Sequence, residues 1–193
     1  MRPLNLAKAA VALALCPAAA NADILPFTGT VTGVSSLVGV DPSCAPLTFR
    51  SLIDPVSTVG HSTLGDFTYS TSTCLSVGGG LSNGSFTINF GTDAFSGTFD
   101  GGSTPTSTSG ISDTAWLFTI LSGTGRFAGA SGTFQGAGLA DARTRPTHVA
   151  ISFIGDINAP AVPEPASWGL MIVGFAGLGA AMRRRGPSLR QLA

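Results

Sequence analysis

Apolar and polar residues alternate with a period of two through most of the middle of the chain. Phe86, Ile88 and Phe90 interleave with Ser85, Thr87 and Asn89; Phe95, Gly97 and Phe99 interleave with Ser96 and Thr98; Trp116, Phe118 and Ile120 form a third row. Successive side chains of a strand point to opposite faces, so each row predicts a strand with one apolar face. Further strands are expected at 27–34, 47–53, 66–71, 131–139 and 148–157, about eight in all, and a 3.6-residue period is confined to the two ends of the chain. Asn83-Gly84, between Leu81 and Phe86, predicts a tight hairpin because both residues accept positive φ. Residues 101–110 carry no apolar face and predict an exposed loop. The fold class is all-β: about eight antiparallel strands in a small barrel or, alternatively, a β-sandwich. A signal helix flanks it on the N-terminal side and a transmembrane helix on the C-terminal side.

The two ends read differently from the middle. Arg2 and Lys8 precede a short apolar run, and Ala20-Asn21-Ala22 places small side chains where signal peptidase cuts, so residues 1–22 are expected to leave as a signal peptide between Ala22 and Asp23. Cys16 follows Leu15, too large for a lipidation site, and goes with the discarded peptide. Near the other end, Pro163-Glu164-Pro165 leads into seventeen uncharged residues, 166–182, with Trp168 at one border and Arg183, Arg184 and Arg185 at the other. Seventeen helical residues rise about 25 Å, the short limit for a bilayer, and an indole and an arginine cluster suit its two interfaces. The arginines place residues 186–193 in the cytoplasm and residues 23–160 outside as an exported β domain. The two prolines keep the segment before the helix extended, as a processing enzyme needs it.

Composition narrows the classes. Charged residues make up 10 % of the 193 residues and hydrophobic ones 44 %, an excess concentrated in the two ends. Between residues 23 and 162 stand nine Asp, four Arg, no Lys and no Glu, a balance that excludes nucleic acid as a partner. Cys44 and Cys74 are an even pair in an exported chain. A disulfide between them is the favoured reading over two buried thiols or a catalytic nucleophile, since no local signature supplies the base a nucleophile needs.

The string 162–185 resembles the PEP-CTERM sorting signal of Gram-negative bacteria, with its Pro-Glu-Pro motif, short helix and basic cluster in that order. The resemblance spans those residues, 162–185, within a sorting segment taken as 161–185, and the eight residues after the arginines are more than many such tails carry. It implies recognition by an exosortase, a membrane-embedded cysteine protease or transpeptidase, after the export machinery and signal peptidase have acted. It also implies a transient stay in the inner membrane, then a cell-surface or extracellular location linked to exopolysaccharide and biofilm. Glu164 would be the residue the enzyme reads. A second likeness runs from Gly60-His61-Ser62-Thr63-Leu64-Gly65 through Gly84-Ser85-Phe86-Thr87 to Gly123-Thr124-Gly125-Arg126-Phe127. It is similar to a group of bacterial exported proteins reminiscent of the allene oxide cyclase and dirigent barrels, which favours the barrel over the sandwich and carries no activity with it.

Signals for chemistry are weak. Gly123-Thr124-Gly125 with Gly129 has the wrong spacing for a dinucleotide site and no phosphate-loop Lys, so it reads as a tight turn, with Phe127 folded over the barrel end and Arg126 solvated or paired with an Asp. No Gly-x-Ser-x-Gly elbow occurs, and His61 and His148 stand far from metal-ligand spacing. Hence no catalytic, cofactor-binding or metal residue is expected. The favoured reading is a non-enzymatic surface or matrix protein. The alternatives are a binding module for a small apolar ligand or a polysaccharide and, last, an isomerase or cyclase.

Overall fold

The structure, a computed structural model, describes residues 22–76, 80–160 and 165–183. The alternating rows become nine strands: β1 (Ala22–Val40), β2 (Phe49–Ile53), β3 (Val59–Ser62), β4 (Gly65–Leu75), β5 (Gly80–Asn89), β6 (Ala94–Pro105), β7 (Ile111–Thr124), β8 (Ser131–Asp141) and β9 (Thr147–Pro160). Each pairs antiparallel with its neighbours, and β9 returns to β1 in a long seam from Ala22↔Pro160 to Ser35↔Thr147. The sheet closes into a barrel, which is the arrangement expected over the sandwich.

Nine strands make eight staves. Strands β2 and β3 lie end to end between β1 and β4, β2 against Ser35–Val40 and Thr71–Leu75, β3 against Gly29–Thr32 and Gly65–Phe67. A one-turn 3-10 helix, Pro55–Ser57, interrupts that stave, and Asp54 caps it by accepting from the Val56 amide at 3.0 Å. The break would leave ladder groups unpaired. Buried Thr58 fills it: its hydroxyl accepts from the Tyr69 amide and donates to the Pro55 carbonyl, both at 2.9 Å. Strand β3 was not expected, since four residues are too few to show a period.

Two other expectations are corrected. Asn83-Gly84 is not a hairpin turn but part of β5: from Cys74↔Ser82 to Ser72↔Ser85, and from Leu81↔Gly101 to Gly84↔Phe99, β5 carries one residue more than its neighbours. The glycine is needed here for space, because a Cβ on Gly84 would lie 2.5 Å from the Phe99 ring. Likewise 101–110 is not all loop: β6 continues to Pro105, paired with Ser112, and only 106–110 turn. The ladder to β7, rather than any apolar face of its own, holds that stretch.

Inward-facing residues fill the barrel. Phe27, Phe67, Tyr69, Phe86, Phe95, Phe99, Phe118, Phe127, Phe134 and Phe153 are all buried, with Val31, Ile53, Ile88, Ile120, Val149, Ile151 and Ile157 between them. Phe118 stacks on Phe134 at 4.7 Å and meets Phe86 edge-on at 5.1 Å, the offset and T-shaped contacts that ring quadrupoles favour. On β7 the inward row Phe118, Ile120 ends at a bulge, where Leu121 is the extra residue against β6 and is exposed to solvent.

Candidate functional site

Because Ala22 pairs with Pro160, both ends of the barrel chain leave from one rim. The β3–β4, β5–β6 and β7–β8 turns stand on the same rim, and the Gly-Thr-Gly-Arg-Phe string builds its centre. Gly125 has φ of +60°, and a Cβ there would strike the Asp93 carboxylate, so only glycine fits. The chain then makes a 3-10 turn, Gly125–Phe127, that buries Phe127 completely under the rim. Arg126 ties the three turns together. Its guanidinium donates to the Leu64 carbonyl at 2.7 Å, sits 3.4 Å from an Asp93 oxygen and covers the Phe90 and Phe127 rings at 5.1 and 4.8 Å. Its backbone N–H donates to Asp93 as well.

The opposite rim carries the disulfide. Cys44 and Cys74 are joined, with Cα atoms 5.3 Å apart, which fixes the 3-10 turn Pro42–Cys44 to β4. Beside it Arg50 donates to Asp41, Ser43 and Ser72, and Asp41 also accepts from the Ser43 amide and hydroxyl at 2.9 and 2.7 Å. The Arg50 guanidinium, then Ser43, hold the Asp41 carboxyl at about 2, below the usual 3.8. Asp141 lies equally low, at about 2, through its hydrogen bonds from the Arg143 side chain and amide, and the same pairing raises Arg143. Burial alone pushes Tyr69 up, so its phenol stays neutral in the core.

None of these groups forms a catalytic constellation. His61 meets only the exposed Asp66, at 2.7 Å, and His148 faces Asp141 across β8–β9. Among the described residues no group of three or more His, Cys, Asp and Glu is placed to hold a metal ion. An open groove of about 1130 Å³ lies on the outer face of β1, β9, β8 and β7, with His61 and Ser62 of β3 and Asp100 and Gly101 of β6 at its margins. One cross-strand row, Ala115, Ala137, Ser152 and Thr30, supplies small side chains; the next, Leu117, Gln135, Ile154 and Thr28, is larger. Sequence reading missed this groove because it arises from register between strands distant in the chain, not from any local motif.

The other expected site residues fall as follows. Ala22 and Asp23 open β1, Pro165 opens the helix α1 (Pro165–Arg183), Trp168 lies in its first turn, and Arg183 closes it with an exposed side chain. Pro163, Glu164, Arg184 and Arg185, with the signal peptide up to Asn21 and the tail 186–193, lie outside the described residues. Met171, Ile172, Val173, Phe175 and Leu178 of α1 are exposed. Among the described residues no helix is long and apolar enough to cross a membrane, so the structure gives the helix but not the transmembrane span expected at 166–182. Seventeen residues fall short of the ~20 that a bilayer core asks for, and four of them are glycines.

Comparison with known proteins shows that the family model of the PEP-CTERM protein-sorting motif matches residues 161–185. No curated protein and no solved structure matches the chain.

Proposed function

We propose that this chain is an exported protein that an exosortase sorts and processes through residues 161–185, and that its barrel is a non-enzymatic surface or matrix module. The observation that carries the reading is the sorting motif set directly after the last strand of a closed, aromatic-filled barrel. Signal peptidase would cut between Ala22 and Asp23 after export. The short helix would then present the Pro163-Glu164-Pro165 stretch at the inner membrane until the exosortase cuts it, releasing the barrel to the cell surface or the extracellular matrix, with its link to exopolysaccharide and biofilm. An interior packed with rings supports a structural role over a small apolar ligand or a cyclase-like reaction inside the barrel. The disulfide accords with an oxidising destination. The test is fractionation of the tagged full chain in a host with an exosortase and in one without. The wild-type chain is expected shortened and released only in the first, and Glu164→Ala is expected to stay full length in the membrane fraction. A wild-type chain that remains uncut in both hosts refutes the reading.

A second reading draws on the outer groove: Thr30, Gln135 and Ser152 beside apolar Leu117 and Ile154 offer hydroxyl and amide groups over flat apolar surface, which suits a polysaccharide. Titration with matrix polysaccharide, comparing the chain with Gln135→Ala, separates a binding role from a purely structural one.

A further inference from the structure

Strand β9 runs to Pro160 and helix α1 begins at Pro165. Five Cα-to-Cα steps join them, about 17 Å at full extension. A protease cleft holds several extended residues on each side of the bond it cuts, more than this stretch contains. An enzyme that engages the bond must therefore touch what lies at its ends, and on the N-terminal side that is the barrel rim at the end of the seam, where Asp23, the first residue after the signal-peptidase cut, pairs with Ala159. The seam cannot lend length freely: Ile157 and Ala159 are buried, and Asn158 is held by Ile24 on one side and Ser131 on the other.

We infer that this rim, formed by the β5–β6 turn at Gly91-Thr92, the β7–β8 turn at Ala128-Gly129 and the end of the β1–β9 seam, is a docking face for the membrane-embedded processing enzyme. The inference rests on the sorting reading above and adds the second contact that reading lacks. The residues suit a protein partner. Thr92, Ala128 and the glycines beside them are exposed and small, and Arg126, which pins the turns, keeps the face rigid. They do not suit a lipid surface: Asp23, Asp66 and Asp93 outnumber Arg126 and no lysine is present, so anionic headgroups are repelled. The C-terminal segment leaves from this rim after Pro160, so the rim faces the membrane-embedded enzyme until the sorting cut.

The experiment follows cleavage of the full-length chain in exosortase-containing membranes. Thr92→Arg with Ala128→Arg should slow the cut about tenfold, the size expected when charged bulk is forced into an interface. Thr108→Arg, on the opposite rim, should leave it unchanged. A twelve-residue Gly-Ser spacer after Pro160 should restore the rate of the double variant, since the enzyme can then reach the bond without meeting the rim. Equal thermal midpoints for all three barrels show that folding is not the cause. Unchanged cleavage of the double variant, with Glu164→Ala still blocking it, overturns the docking face and leaves the sorting reading standing. If the wild-type barrel itself sediments with anionic vesicles and the double variant is cut at the wild-type rate, the face meets lipid and the inference fails. A wild-type chain that is never cut removes both.

Discussion

Removing the Phe118 ring tests the barrel interior most directly. Phe118 is fully buried and lies within 6.5 Å, centroid to centroid, of Tyr69, Phe86, Phe99, Trp116, Phe134 and Phe153. Phe118→Ala discards about 200 Å² of buried ring, worth roughly 5 kcal/mol at 25 cal/mol per Å². Large-to-small changes of this kind cost about 3–5 kcal/mol, and rings on every side leave little backbone freedom to collapse the cavity, so the upper half of that range applies. Against a total stability of roughly 5–15 kcal/mol, the variant sits near the edge of folding. Leu117→Ala is the control. Leu117 is the adjacent residue on β7, equally apolar, but 52 % exposed on the outer face, and its truncation should cost about 1 kcal/mol or less. Equilibrium unfolding in urea, followed by near-UV circular dichroism with the disulfide kept oxidised, reads both. Equal losses for the two variants, or a loss below about 1 kcal/mol for Phe118→Ala, refute the assignment of inside and outside on β7.

Reducing the Cys44–Cys74 bond frees a loop of separation 30, and the chain-entropy model assigns it about 3–4 kcal/mol, so urea midpoints with and without reductant should differ by that amount divided by the slope. Gly97→Ala puts a Cβ 1.9 Å from the Thr119 carbonyl, a backbone group that cannot step aside, and should cost about 1–3 kcal/mol, whereas Gly102→Ala meets nothing within 4 Å and should be nearly silent; thermal melts distinguish them. Asp41 and Asp141 are held at about 2 when folded against 3.8 when free, so their stabilisation is complete above pH 4 and disappears as the pH falls toward 2. Arg50→Ala with Arg143→Ala should lower the melting point at pH 7 and flatten its fall between pH 4 and 2, and a variant with an unaltered acid profile contradicts the pairings.

What the sequence disclosed depended on whether a residue's environment is set by its neighbours in the chain or by strands far away. Rows such as Phe95, Phe99 and Phe118, Ile120 were legible because alternation alone decides which face of a strand enters the core. Gly125-Arg126-Phe127 was legible for a similar reason, since a bare glycine, a long cation and a ring in sequence suit a turn folded over an end. Asn83-Gly84 misled because its glycine makes room for the Phe99 ring rather than a turn, and that is decided by the pairing of β4 and β6 on either side. Residues 101–105 misled because their strand is made by a ladder to β7 and not by their own side chains. Of the candidate site, the sorting segment was readable as a linear string, while the rim and the outer groove exist only once the barrel has closed.

That closure has a consequence that follows from counting. In an up-and-down barrel neighbouring staves run in opposite directions, so an even number makes the first and last antiparallel and brings both chain ends to one rim; an odd number would make them parallel and send the ends to opposite rims. Here β2 and β3 run the same way within one stave, so nine strands still give an even eight. The interruption at Pro55–Ser57, a break in one stave closed by the Thr58 hydroxyl, is thus what reconciles nine strands with chain ends on one rim. The barrel thereby lets its first and last strands pair to their ends, from Ser35↔Thr147 to Ala22↔Pro160, and sets the two positions that the sorting reading proposes for cleavage, after Ala22 and beyond Pro160, at one rim.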